Sequence, residues 1–219
     1  MKTTYLKISA VLLITASACK SPDTKETNST SSDSSIVTET ASTPNAPMPD
    51  SAAMAKAWEN YMTPGSMHKL LAEVVGKWDG EITTWMGPNM PASEPAKLTA
   101  EMNMLLGGRY LESVYKGNMM GMPFEGMSIV GYDNARKVFV SSWIDNMGSG
   151  IMNMEGTWDA AVQTINLKGT GTDPMSGNSM PVRETFKIVD DNTQVMEMFV
   201  PGPDGKEFKT MEIKFTRHK

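Results

Sequence analysis

The chain of 219 residues contains one cysteine and two histidines, and it has no clustered basic stretch. Each scarcity removes a class of chemistry. Cys19 alone builds no disulfide framework within the chain and no set of thiolates for a structural zinc. His68 and His218 lie near opposite ends of the region that reads as folded, and no Ser-His-Asp arrangement is credible with them. Lys and Arg number 20 against 25 Asp and Glu, a formal net charge of −5. An acidic chain without grouped cations argues against nucleic-acid binding, because phosphate neutralisation needs them. Apolar runs are short, and none approaches the roughly 20 residues that cross a bilayer as a helix. Phenylalanine is sparse at 6 residues whereas methionine reaches 21, so thioethers must fill much of the interior.

The N-terminus carries an address. Lys2 and Lys7 precede the apolar stretch from Ile8 to Thr15, and the small residues Ala16-Ser17-Ala18 lead directly into Cys19. A basic start, an apolar stretch too short to span, and small residues before a cleavage point make an export signal. A cysteine at that point resembles the bacterial lipoprotein signal. Its thiol would be alkylated with diacylglycerol and become the mature N-terminus. The reading makes residues 1–18 a leader. Residues 19–50 become a lipidated cysteine with a disordered tether rich in Ser, Thr and Pro, too polar to offset the entropy of ordering. By random-coil scaling the tether reaches about 30 Å. The expected location is the bacterial cell envelope, with the domain lipid-anchored at the outer membrane. The mature chain would then keep no free thiol and no cysteine nucleophile.

Residues 51–75 predict two short helices. Ser51 is placed to cap the first, with Met54, Trp58 and Tyr61 on one face before Thr63-Pro64-Gly65. Ser66 is placed to cap the second, which carries Leu70, Leu71, Val74 and Val75 up to Gly76. From Gly76 the apolar period changes to two. Leu98, Ala100, Met102, Met104 and Leu106 alternate with Lys97, Thr99, Glu101 and Asn103. Ten such stretches follow one another to residue 219, separated by turn sequences such as Asp133-Asn134-Ala135 and Pro201-Gly202-Pro203-Asp204-Gly205. The expected fold is all-β: a ten-stranded antiparallel up-and-down β-barrel over residues 76–219, preceded by the two helices. Closure removes the edges an open sheet would expose.

Two sets of residues carry resemblances. Gly76-Lys77-Trp78 opens the first strand, and Arg217 shares a face with Met211, Ile213 and Phe215 in the last. A Gly-x-Trp at the start of strand one, with an arginine from the final strand over the indole, resembles the plug of lipocalin-like barrels. The ordered series His68-Lys69-Leu70-Leu71, Gly76-Lys77-Trp78-Asp79-Gly80, Gly107-Gly108-Arg109, Gly131-Tyr132-Asp133-Asn134, Trp143-Ile144-Asp145, Gly156-Thr157-Trp158-Asp159 and Asp204-Gly205-Lys206-Glu207 resembles the bacterial domain-of-unknown-function family fifteen-seventy-nine. That resemblance implies a lipocalin-like or nitrobindin-like β-barrel and carries over no catalytic residue.

A small barrel either fills with its own side chains or holds one ligand. With the Trp78 face turned inward, alternation nominates Met102, Met104, Phe139, Trp143, Asp145, Met152, Met154, Trp158, Met196 and Met198 as cavity candidates. Such a lining suits a small apolar or amphipathic molecule, and the sequence leaves a filled core equally open. Haem would need an axial imidazole. His68 precedes the barrel and His218 alternates away from Arg217, so no cofactor is expected. Met119-Met120-Gly121-Met122 invites Cu(I), but successive strand residues point to opposite faces and no His or Cys is near. Among the strand carboxylates Glu112, Asp145, Glu155, Glu184 and Glu197, Asp145 shares the Trp143 face and is the candidate for an enzyme at the barrel mouth. Its alternative role is a turn cap in Asp145-Asn146-Met147-Gly148. Arg109 and Arg183 are candidates for a ligand carboxylate or for surface pairing.

Overall fold

The computed structural model describes residues 50–119 and 121–219. Residues 1–49, which include the expected leader, Cys19 and all of the expected tether but Asp50, lie outside the described residues, as does Met120. Two helices, α1 (Ser51–Met62) and α2 (Ser66–Glu73), precede ten strands: β1 (Gly76–Thr84), β2 (Ala96–Leu105), β3 (Tyr110–Met119), β4 (Met122–Asp133), β5 (Val138–Asp145), β6 (Met152–Asp159), β7 (Thr164–Thr172), β8 (Ser179–Asp190), β9 (Thr193–Pro201) and β10 (Glu207–Arg217). Every sequential pair is antiparallel, and β1 pairs with β10 to close the barrel. The all-β, up-and-down expectation holds throughout. No edge strand remains in the barrel, so no row of free backbone donors faces solvent along it.

The helix starts differ from the sequence reading by one residue each. Asp50, not Ser51, caps α1, its Oδ1 accepting from the Ala53 amide at 2.7 Å. Either side chain suits the position, and the extended φ/ψ of Asp50 decides between them. At α2 the cap position falls on Gly65, whose amide donates to His68 Nδ1 at 3.0 Å. α2 stops at Glu73, short of Val75, because the chain must turn into β1. Gly76 makes that turn with φ +135°, where a side chain would be strained. A Cβ there would also lie 2.8 Å from an Arg217 nitrogen.

All connections alternate between two ends. The β2–β3, β4–β5, β6–β7 and β8–β9 turns gather at the end where β1 begins, and α2 lies over that floor. Leu71 and Val74 are buried there. α1 buries none of its residues, and its Met54–Trp58–Tyr61 face stays exposed. It is held by its C-terminal carbonyls: Asn134 Nδ2 donates to the Thr63 carbonyl at 2.8 Å, and Arg109 Nη2 donates to that of Met62 at 2.7 Å.

The floor is packed solid. Trp78, Phe139 and Phe215 are buried to 1% exposure or less. The Arg217 guanidinium lies over the Trp78 ring, 4.3 Å from its centroid. Trp78 Nε1 donates to the Val74 carbonyl at 2.9 Å. Arg217 donates to the carbonyls of Val75, Glu73 and Asp191 at 2.8, 3.1 and 2.8 Å. One arginine therefore stacks on the indole and ties α2 and the β8–β9 turn to the end of β10.

Candidate functional site

Above the floor the barrel is hollow. A cavity of about 280 Å³ occupies its upper half, close to the lower end of the usual range for small-molecule sites. It exists where the inward positions become small. Ser113 on β3, Ser128 on β4 and Ser141 on β5 are buried and sit on three adjacent strands. Ser113 and Ser128 are direct cross-strand partners. Three hydroxymethyl groups occupy space that Leu or Phe fills elsewhere, and the methionines opposite do not close the gap.

The structure sorts the candidates by height. Met102, Trp143, Asp145, Met152, Met154, Met196 and Met198 line the cavity. Met104, Phe139 and Trp158 do not, although each lies on an inward face. Met104 lies farther along β2 toward the floor than Met102 and packs against the core there. Phe139 is fully buried against Tyr132, with ring centroids 4.9 Å apart. Trp158 is near the floor end of β6, in a separate surface groove with Leu70, Gln163 and Ile188. Alternation assigns a face and says nothing about depth along the strand.

One wall is aromatic. The Trp143 ring stacks on Phe124 at 6.4 Å and meets Tyr115 at 5.3 Å. Gly126 makes room for it: a Cβ there would lie 2.5 Å from the indole. Trp143 Nε1 donates to Asp145 Oδ2 at 2.6 Å. Asp145 Oδ1 accepts from the Met147 and Gly148 amides at 2.8 and 3.0 Å. Asp145 is thus a turn cap that also orients the indole. Both its oxygens are engaged, which leaves it poorly placed as a general acid or base.

The polar centre is elsewhere, on Tyr115 and Glu184. These sit on β3 and β8, five strands apart either way round the ring and therefore on opposing walls. Glu184 is partly buried and lines the cavity. Burial alone pushes its carboxyl up to about 7. It has no hydrogen-bond partner or counter-ion among the described residues. Burial also raises the Tyr115 hydroxyl to about 12; Ser113 and Ser128 oppose this through hydrogen bonds, and Glu184 adds to it by charge.

Glu184 stands among the strand carboxylates of the sequence, where Asp145 is the favoured candidate. The missed signal was the run Val182, Glu184, Phe186, Ile188, in which Glu184 alternates with apolar residues and must face inward. Two of the other strand carboxylates named with it are paired. Glu155 pairs with Arg136, and Glu197 holds Lys209. Arg183 leaves the interior to pair with Glu207 at 2.8 Å and to stack over Phe199. Arg109 binds the carbonyls of Met62 and Leu106.

Neither histidine lines the cavity. His68 is buried beneath the floor, edge-on to Tyr132, and burial lowers its pKa, with Arg109 adding to the effect. His218 Nδ1 lies 2.8 Å from Asp79 Oδ2 on the exterior. No group of three or more His, Cys, Asp and Glu side chains among the described residues is arranged to hold a metal.

The closed ten-stranded antiparallel barrel, plugged at its floor and hollow above it, is a lipocalin-like fold. Residues 63–217 match the family model described as "Protein of unknown function (DUF1579)", and the chain belongs to that family. The resemblance carried by the short sequence motifs is thereby confirmed. No curated protein matches the sequence. Among solved structures, Rv2717c from M. tuberculosis is similar with a TM-score of 0.54 at 12% identity, covering 72% of this chain and all of that one. The S-type phycobiliprotein lyase CPES from Guillardia theta gives a TM-score of 0.49 at 10% identity, covering 71% of this chain and 94% of the other. A redesigned β-barrel gives 0.38 at 15% identity over 71% of this chain and all of that one. The first likeness shows the fold alone, and the other two are too loose to carry an argument.

Proposed function

We propose that the protein is a binding module that holds one small apolar or amphipathic molecule in the upper half of the barrel. The observation that supports this is the cavity itself, walled by flexible thioethers and aromatic rings with a few polar groups inside. A filled-core structural role does not account for that space. An enzyme working through Asp145 and Trp143 is less well supported, because the Asp145 oxygens already serve Trp143 and the following turn.

The proposal includes the address read from the N-terminus: export, acylation of Cys19, and attachment to the outer membrane of a bacterial envelope. Two or more acyl chains, at roughly 0.8 kcal/mol per buried CH₂, would hold such a domain permanently. Incorporation of labelled fatty acid, abolished by Cys19→Ser, tests the anchor. Binding is tested by titrating the neutral dye Nile red into the full-length Cys19→Ser chain. The expected result is saturable fluorescence enhancement at one dye per protein, lost in a folded Ser128→Phe variant whose ring occupies the cavity. Absence of saturable binding, or enhancement that persists in the filled variant, counts against the proposal.

A further inference from the structure

We propose that the cavity selects its ligand by charge, taking an apolar molecule that carries one protonated amine and seating the nitrogen on Glu184. This rests on the ligand-binding reading above and adds the chemistry of the head group.

The lining contains two ionisable carboxyls, Asp145 and Glu184, and no Lys, Arg or His. Asp145 is occupied by Trp143 and two turn amides. Glu184 faces the space without a partner. Its cross-strand neighbours are Leu167 on β7 and Met198 on β9, both apolar and both in the lining. Tyr115 faces it from β3, and Asp145 contributes from β5 at the mouth.

The nearby cations are held on the outside. Lys168 and Arg183 oppose each other at the alternate register of β7 and β8, and Arg183 pairs with Glu207. Lys209 is the telling case. Simple alternation back from Met211 and Ile213 would turn it inward. The register of β10 against β9 shifts between Lys209 and Met211, which leaves Thr210 as an extra residue. Lys209 then faces out, bound to Glu197 and Glu212 and lying over Trp85. The bulge keeps from the cavity a cation positioned to neutralise its carboxylates.

An ammonium has three donors and no acceptor. Glu184 supplies the opposite charge, and the hydroxyls of Tyr115, Ser113 and Ser128 supply further acceptors. A fatty carboxylate would meet only like charge and buried oxygens, without the cation it needs. Because burial holds the Glu184 carboxyl near 7, an arriving ammonium displaces its proton in slightly acid solution. Amine affinity therefore falls as pH drops below about 7, and the affinity of a neutral ligand does not.

Three probes of equal chain length separate the possibilities: octylamine, octanol and octanoate, titrated calorimetrically into the full-length Cys19→Ser chain. Octylamine is expected to bind roughly tenfold more tightly than octanol, a difference suited to one charge-assisted contact, with octanoate weakest. Glu184→Gln should erase the amine preference while leaving octanol binding in place. Octanoate binding as tightly as octylamine, or a preference that survives Glu184→Gln, overturns the proposal. If octanol binds without any amine preference, charge selection fails and the binding module stands. If none of the three binds, both readings fall.

Discussion

The floor and the upper half of this barrel are built from the same ten strands with the same alternation, yet one is solid and the other hollow. At the floor, Trp78, Phe139 and Phe215 interlock beneath a covering helix, and a single arginine fastens strand, helix and turn. In the upper half, methionine and serine take many of the inward positions beside a single aromatic wall. Thioether chains adapt to their surroundings and do not define a rigid filling, and serine leaves space. The contrast suggests how a small barrel divides its work: rigid aromatic packing secures one end so that the other can stay open. Gln194, buried at 1% exposure with its Oε1 unpaired, shows that even the packed region carries a polar imperfection.

The comparison can be broken most forcefully at the floor. Trp78→Ala removes the indole under Arg217 and leaves the Val74 carbonyl without its donor. It should cost about 3–5 kcal/mol in urea-denaturation free energy, as large-to-small core changes do. A loss below about 1 kcal/mol would mean that the plug does not hold the barrel together.

The next effect lies in the cavity and has the opposite sign. The Glu184 carboxyl sits at about 7 in the folded protein against an ordinary value of 4.5. Below pH 4.5 both states are protonated and burial of the carboxyl is not penalised. Between pH 4.5 and 7 the unfolded chain releases the proton while the folded chain retains it, so stability falls as pH rises through this window. Glu184→Gln should therefore match the parent near pH 4 and exceed it at pH 8, by on the order of 3 kcal/mol. Paired denaturation curves at the two pH values check this, and equal stabilities at pH 8 would contradict the isolation of Glu184.

The smallest effect sharpens the difference between rigid and adaptable packing. Met196→Leu conserves volume and should change stability by less than about 1.5 kcal/mol. The same substitution stiffens a cavity wall, so the spread of affinities for alkyl probes of different length should narrow. Thermal melts together with probe titrations would show the two effects separating.

Much of this architecture was legible along the chain. The change of apolar period at Gly76 and the regular turns reflect local geometry that a linear reading captures, while the Trp78–Arg217 pairing across the first and last strands was expected only from the lipocalin-like resemblance. Inward faces were legible as well, as Met102, Met154 and Met198 show. Depth was not: Phe139 and Trp143 share a face of β5, yet one is buried beside the floor and the other walls the cavity. The choice between Asp145 and Glu184 was legible in part. The turn sequence after Asp145 and the apolar alternation around Glu184 are both written in the chain, but the Trp143 indole that takes the second Asp145 oxygen and the absence of a partner for Glu184 emerge only in the fold.

The sequence by itself therefore determined the class of fold, because alternation and turn chemistry are properties of neighbouring residues. It also supplied the motifs by which the chain is placed in its family. Tertiary structure alone decided that the barrel is hollow, since a void depends on which side chains from non-adjacent strands meet at one height. It likewise decided the charge of that space. The register shift on β10 turns Lys209 outward, and closure of the ring sets Tyr115 and Glu184 on opposing walls. Both depend on how strands are paired, and that information is not carried by any one of them.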